Sequence, residues 1–262
     1  MIYNFDFRKS LGQNFLIDDN IVDNIANAID YKENNMVIEI GPGSGNLTKK
    51  LLKKADFVLL YEIDTRLKRI LSKELADFNN YDIIWDDFLY RDVKEDLKKY
   101  NYENIYIVAN LPYYITTPIV SKFVMETIPA NEIVIMIQKE VAERISASHG
   151  NKTYGILSVF LQTFYDIEYL FTVGEQVFDP PPKVKSAVIR LIRNKREKLD
   201  CDEKLFFNIV KSGFNQRRKT LRNSLKSIIS PDFASETLSL RPEQLSVEDF
   251  ITLCKEIQQA NK

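Results

Sequence analysis

Asn110-Leu111-Pro112-Tyr113 stand where an apolar run, Ile105-Tyr106-Ile107-Val108, comes to an end. Together these residue types could hold an exocyclic amine for alkylation. The N6 amino nitrogen of adenine is a poor nucleophile because its lone pair is delocalised into the ring, so an enzyme must draw that nitrogen toward tetrahedral geometry. The side-chain oxygen of Asn110 and a neighbouring backbone carbonyl could accept its two hydrogens. Pro112 removes a donor and stiffens the turn, and Tyr113 offers a flat face for stacking a base. The tetrapeptide reads as an amine clamp. Alone, the same four letters also describe a strand followed by a proline turn, so the order of other signals along the chain decides between the two.

The second constellation lies earlier. Glu39-Ile40-Gly41-Pro42-Gly43-Ser44-Gly45 follows an apolar run and opens a helical pattern. Its three glycines let a ligand approach the backbone where a side chain would block it. A dinucleotide fingerprint would place its third glycine at position 46, where Asn46 stands, and the Gly-Lys-Ser/Thr ending of a P-loop is absent. The loop therefore favours a nucleotide cofactor without a pyrophosphate. Glu62 closes the next strand, where a carboxylate can accept both hydroxyls of a ribose. Asp87, in Asp86-Asp87-Phe88 after a third strand, is placed to accept from an adenine amine. Ligands of open α/β sheets bind at the carboxyl ends of the strands. S-adenosylmethionine, with a ribose, an adenine and an amino-acid tail, fits all three sites.

These residues need a scaffold in which strands alternate with helices. Strands are predicted at 36–40, 57–61, 81–85, 105–109, 133–137, 167–173 and 184–192, and helices at 47–54, 66–77, 93–100, 118–126, 139–147 and 155–164. Such alternation implies a mostly parallel, seven-stranded sheet with helices on both faces. The last two strands are separated only by the loop 174–182, which predicts an antiparallel hairpin at the sheet edge. A charged linker, Arg193 to Lys198, ends the alternation. Beyond it helices are predicted at 203–212, 216–229 and 247–259, with Pro231 and Pro242 as breaks. The expected organisation is an α/β domain over 1–192 and a small all-helical domain over 193–262.

Composition narrows the function classes. The chain has 262 residues and a net charge of −1. Between Lys183 and Lys226, however, fourteen Lys/Arg face four Asp/Glu, a local +10 that leaves −11 for the rest. A basic band beside an acidic body has the form of a footprint for a phosphate backbone. On a helix from 214 to 229, Phe214, Leu221, Leu225 and Ile228 would share one face and Arg218, Lys219, Arg222 and Lys226 the adjacent one. Cys201 and Cys254 lie far apart in sequence, form no CxxC and suit a reducing compartment as packing residues. Residues 1–10 hold no apolar signal core, and no 18-residue apolar run occurs, so a cytoplasmic protein with no membrane partner is expected. His149, in the polar stretch Ser148-His149-Gly150-Asn151, reads as a surface residue rather than a catalytic one.

With the glycine loop, Glu62, Asp87 and Asn110 to Tyr113 in this order, the chain resembles the rRNA adenine N6-dimethyltransferases. Leu11-Gly12-Gln13-Asn14-Phe15-Leu16 is similar to that family's N-terminal cofactor-closing segment, and residues 177–188 to its late loop, which would put Phe178 at the target-base pocket. Phe214 to Asn223, followed by Arg241-Pro242-Glu243, looks like the C-terminal domain of the small-subunit branch. The resemblance implies a Rossmann-like methyltransferase domain. It puts Gln13, Asn14, Leu16, Gly41, Gly43, Glu62, Ile63, Asp87, Phe88 and Asn110 at S-adenosylmethionine, and Asn110, Leu111, Pro112, Tyr113 and Phe178 around the target base. Arg217, Arg218, Lys219 and Arg222 are expected to bind RNA.

The implied reaction is N6,N6-dimethylation of two adjacent adenines in a hairpin near the 3′ end of small-subunit rRNA. It would be carried out by a monomer on an immature subunit during ribosome biogenesis, with no metal. At position 114 this chain has Tyr, where many members of the family carry Asn. The related branch that modifies large-subunit rRNA shares the cofactor motifs, but Leu111 and the 216–222 segment favour the small-subunit branch. A non-enzymatic alternative is an assembly factor that docks on immature subunits through the basic face.

Overall fold

A computed structural model describes residues 13–126 and 128–261. The main sheet is built from seven strands: β2 (Asn35–Ile40), β3 (Phe57–Tyr61), β4 (Tyr81–Ile84), β5 (Asn104–Asn110), β6 (Glu132–Gln138), β7 (Tyr165–Val173) and β9 (Ser186–Arg193). Across the sheet they lie in the order β4-β3-β2-β5-β6-β9-β7. The central strands read as continuous apolar runs because both of their faces are covered, as parallel strands require. Ile38 lies opposite Leu59 on one side and Ile107 on the other, both in parallel register. β6 continues the parallel set, with Val108 opposite Val134. β9 then enters between β6 and β7, antiparallel to β6, with Ile135 opposite Ile189. The mostly parallel sheet with a non-parallel edge is as expected.

Strand order fixes where a ligand can sit. From β2 the chain builds outward through β3 and β4, then crosses back to place β5 on the other side of β2. The carboxyl ends of β2 and β5 therefore flank the switch point of the sheet, where the diverging connections leave a crevice. The glycine loop follows β2, and Asn110 ends β5.

Two short elements had no sequence signal. β1 (Phe15–Leu16) pairs antiparallel with β8 (Phe178–Asp179), with Phe15 opposite Asp179 and Leu16 opposite Phe178. Helix α1 (Asp19–Ala26) follows β1, its first turn capped by the Asp18 carboxylate, which accepts from the amides of Asn20 and Ile21. The helices between strands are α2 (Asn46–Leu51), α3 (Lys68–Glu74), α4 (Val93–Leu97), α5 (Thr116–Met125), α6 (Lys139–Ser146) and α7 (Ile156–Phe164). Several are a turn shorter than predicted. Before α3, for example, residues Thr65–Leu67 form a 3-10 turn capped by Asp64. Among the described residues no helix is long and apolar enough to cross a membrane.

The chain divides into two compact units, one running to Ala142 and including Glu168–Arg193, the other comprising Glu143–Ile167 and the residues from Asn194 onward. The single cut expected after residue 192 is therefore corrected: α7 groups with the C-terminal helices. Its Phe160 ring meets Phe207 of α8 (Glu203–Asn215) edge-on, with centroids 4.6 Å apart. The helix predicted from 216 to 229 is also corrected. α8 runs three residues past its expected end, the chain turns through 216–219, and only Leu221–Ser224 is helical (α9), before α10 (Val247–Ala260). The cause is packing around Gly213. A Cβ there would stand 3.2 Å from both Leu221 and Pro242, so the chain folds back onto α8 instead of continuing straight. Leu221 and Leu225 are fully buried in this arrangement.

Candidate active site

The crevice at the switch point is a pocket with about 870 Å³ of atom-free space, its open mouth included. Of the residues the sequence assigned to cofactor and base, Gln13, Asn14, Gly41, Gly43, Glu62, Ile63, Asp87, Phe88, Asn110, Leu111, Pro112, Tyr113 and Phe178 all line it. Leu16 lines a smaller recess that shares Gly41, Gly43 and Asn110 with the main pocket. Its carbonyl accepts from the Asn46 side chain (2.8 Å). Leu11 and Gly12 lie outside the described residues.

The glycine loop has the conformation its sequence demands. Gly41 sits at φ +72° and Gly43 at φ +55°, a left-handed region that side chains rarely adopt. At Gly43 the fit is also tight, since a Cβ would stand 3.1 Å from the Phe15 ring. Bare backbone therefore forms one wall of the pocket. The Gly43 amide donates to Glu62 Oε2 (3.3 Å) and the Asp64 amide to Oε1 (2.8 Å), which holds the Glu62 carboxylate at the tip of β3. Glu62 is buried, and that burial raises its pKa above the ordinary carboxylate value against the pull of the two amides. Such a carboxylate gains from any donor or cation a ligand brings.

Asp64 is held by Arg66, with Nε 2.8 Å from Oδ1, and by Gln13, with Nε2 2.8 Å from Oδ2. The Arg66 contact foremost keeps its pKa down at about 2. Gln13 thus anchors the N-terminal segment beside the loop. On the far side, Asp87 Oδ1 accepts from the Leu89 amide (2.9 Å), which caps the turn that carries Phe88. The Phe88 ring packs edge-on against Tyr61, centroids 5.1 Å apart. Ile63 is 47% exposed, an apolar surface at the pocket that an aromatic ring could cover.

At the tip of β5 the clamp residues are held one by one. Asn110 donates through Nδ2 to the Asn14 carbonyl (3.2 Å), and its Oδ1 has no partner among the described residues. The Leu111 amide donates to the Met136 carbonyl (3.1 Å) of β6, while no described donor reaches the Leu111 carbonyl. The Pro112 carbonyl is doubly engaged, by the Ile115 amide (3.2 Å) and the Thr116 hydroxyl (3.1 Å). Two free acceptors, on Asn110 and Leu111, therefore stand in adjacent residues. The Tyr113 hydroxyl bonds the Ser186 hydroxyl (2.6 Å), fixing the ring. Phe178, 3% exposed, reaches the pocket from β8.

Sequence reasoning missed Ile40, Tyr61, Leu67, Asp86, Ile115 and Ile119 as lining residues. Each lies within a few residues of a motif that was found, and proximity to a strand end was the available signal. Tyr114, 53% exposed, also lines the pocket.

The family model described as ribosomal RNA adenine dimethylase matches residues 4–259. The chain belongs to this family. It is thus a methyltransferase, as the site suggests. It is 48% identical over 251 residues to ribosomal RNA small subunit methyltransferase A of Parabacteroides distasonis, covering 94% of this chain and 92% of that protein. Among solved structures, it is similar to a dimethyladenosine transferase from Plasmodium falciparum, with a TM-score of 0.81, 25% identity, and coverage of 94% of this chain and 98% of that one. It is also similar to the 23S rRNA methyltransferase ErmE, with a TM-score of 0.69, 25% identity, and coverage of 92% and 100%.

The predicted RNA-binding residues lie in the second unit and differ in kind. Arg217 is half-buried. It donates to the Tyr154 carbonyl (2.9 Å), stands 3.9 Å from Glu243 and lies over the Phe214 ring at 5.9 Å. Arg218, Lys219 and Arg222 are exposed, and Arg222 also donates to the Phe233 carbonyl (3.1 Å). His149 is exposed, and no group of three or more His, Cys, Asp or Glu among the described residues could hold a metal.

Proposed function

We propose that this protein uses S-adenosylmethionine to dimethylate N6 of two adjacent adenines in the 3′-terminal hairpin of small-subunit rRNA, acting on an immature subunit during ribosome biogenesis. The pair of free acceptors on Asn110 and Leu111 at the tip of β5, in the same pocket as the bare glycine loop, carries this reading. The cofactor fits the residues present. Gly41 and Gly43 admit a ligand against the backbone, Glu62 is a buried acceptor suited to ribose hydroxyls, and Glu39 Oε2 beneath the loop is buried without a hydrogen-bond partner. Bound there, the cofactor supplies an electrophilic methyl on a sulfonium.

Asn110 Oδ1 and the Leu111 carbonyl accept the two N6 hydrogens, which favours the lone pair pointing out of the ring plane. Tyr113 and Phe178 hold the base between them. Positioning supplies much of the acceleration. No dedicated base is required, because the amine nitrogen becomes strongly acidic once it is alkylated. After the first methylation one N–H remains, and the same acceptors can hold it for the second. Arg218, Lys219 and Arg222 give affinity through phosphates, whereas RNA shape and the everted adenine give selectivity.

Greater identity to the small-subunit relative than to ErmE supports the small-subunit substrate. The test is mass spectrometry of rRNA after incubating the protein and labelled cofactor with ribosomal subunits from a strain lacking the modification. Two dimethylated adenines in the small-subunit 3′ hairpin are expected. Label confined to large-subunit rRNA, or absent from both, overturns the assignment.

A further inference from the structure

Cys201 and Cys254 are separated by 53 positions in sequence, yet the second unit brings the Cys254 thiol against the backbone of Asp202, the residue next to Cys201. The approach is built from several contacts between the segment that leads into α8 and the middle of α10. Asp200 pairs with Lys255 (3.3 Å), and the Asp202 amide donates to the Gln258 side chain (3.1 Å). The Cys254 thiol donates to the Asp202 carbonyl (3.6 Å). Asp202 is itself the N-cap of α8, its carboxylate accepting from the Leu205 amide (2.7 Å). Contacts on both sides of Cys201 thus hold it against α10. Cys254 is fully buried, whereas Cys201 is half-buried.

We infer that Cys201 and Cys254 form a reversible dithiol–disulfide pair that fastens the start of α8 to α10 when it meets a small-molecule disulfide such as glutathione disulfide. The difference in exposure orders the steps. The Cys201 thiolate attacks one sulfur of glutathione disulfide, forming a mixed disulfide and releasing one glutathione thiolate. The Cys254 thiol then loses its proton and attacks the Cys201 sulfur, forming the internal bond and expelling the second glutathione. Two protein thiols are oxidised and one glutathione disulfide is reduced to two glutathiones. Burial pushes both thiols above the ordinary thiol range. The resting pair is therefore protonated and slow to react at neutral pH. For the same reason the reduced form is not favoured as a thiolate, the feature that makes a disulfide easy to reduce.

The full chain is incubated in graded ratios of reduced to oxidised glutathione, quenched by alkylation, and its free thiols counted by intact mass. Wild type should lose both thiols with no glutathione retained, faster at pH 9 than at pH 7, and should regain them on reduction. Cys254→Ser should stop at a stable glutathione adduct on Cys201. Cys201→Ser should take up none. Closing a loop of this length should raise the thermal midpoint of wild type by about 5 °C or more, with no such shift in either variant. A stable glutathione adduct on wild-type Cys201 beside an unreacted Cys254, disulfide-linked dimers, or two unreacted thiols in fully oxidising buffer would each overturn the inference.

Discussion

Replacing Glu39 with Gln should change how the stability of the sheet-bearing unit depends on pH. Glu39 lies in β2 beneath the glycine loop, 1% exposed, with Oε2 unpaired. Burial foremost raises its pKa from 4.5 to about 8, with the Thr48 hydroxyl opposing and the Glu62 charge adding to the rise. The unfolded chain keeps the ordinary value, so between those two pH values the folded state holds a proton that the unfolded chain has lost. The stabilising term is fully present below about pH 4.5 and is lost as pH rises toward 8. One proton gives a slope of about 1.4 kcal/mol per pH unit, so the whole span amounts to about 5 kcal/mol. Gln has nearly the same shape and does not titrate. The stability of Glu39→Gln relative to wild type should therefore grow by about that slope from pH 5 to pH 8. Glu62 is present in both proteins, so its own titration largely cancels. The single tryptophan, Trp85, lies in the same unit and reports its unfolding in urea. Parallel pH profiles for the two proteins, measured without cofactor, would refute the buried-proton argument.

Further outcomes follow from the same residues. Asn110→Ala should lower methyl transfer by about 100-fold or more in single-turnover assays while leaving RNA affinity unchanged, because it removes one of two acceptors that position the amine. Gly43→Ala should weaken cofactor binding in calorimetry and cost about 1–2 kcal/mol in urea unfolding, since the new Cβ meets the Phe15 ring at 3.1 Å and must hold φ near +55°. Neutralising Arg218, Lys219 and Arg222 together should flatten the salt dependence of RNA binding by about one unit of log–log slope for each phosphate no longer neutralised, with the fold intact. Arg217→Ala should instead lower the thermal midpoint, which circular dichroism would detect. Preference for S-adenosylmethionine over its demethylated product, whose sulfur is uncharged, should increase as pH rises through the raised pKa of Glu62, and Glu62→Gln should remove that trend in a competition assay.

The parts of the fold that were legible in the sequence are those in which one local rule decides. β2, β3, β5 and β6 are buried on both faces, so they read as unbroken apolar runs and were placed to within a residue or so. Positive-φ glycines at 41 and 43 likewise show as glycines. β1 and β8, by contrast, are two residues each and exist only because they pair across the chain, with Ile17 donating to the Val177 carbonyl (2.9 Å) beside them. No local pattern marks such a pair. The helix expected at 216–229 failed for a similar reason. Its amphipathic spacing was real, but the close fit of Leu221 and Pro242 against Gly213 outweighed propensity, and that fit depends on residues distant in sequence.

The choice of second acceptor shows how far a motif alone can go. Spacing put Asn110 at a strand end and offered the Leu111 or Pro112 carbonyl as its companion. The 3-10 turn that proline initiates folds Ile115 and Thr116 back onto the Pro112 carbonyl and occupies both of its lone pairs. The Leu111 amide, meanwhile, is drawn into the sheet by Met136, which fixes the peptide plane next to the clamp while its carbonyl stays free. Proline thus acts less by lacking a donor than by starting a turn that removes the competing acceptor. Asn110 is oriented in the same manner, through an amide hydrogen given to Asn14 on the N-terminal segment, so that the oxygen rather than the nitrogen is left for a ligand. Both halves of the clamp depend on partners outside the tetrapeptide. A perturbation of Asn14 or of the 113–116 turn should therefore disable the clamp without altering the Asn110 and Leu111 acceptors themselves.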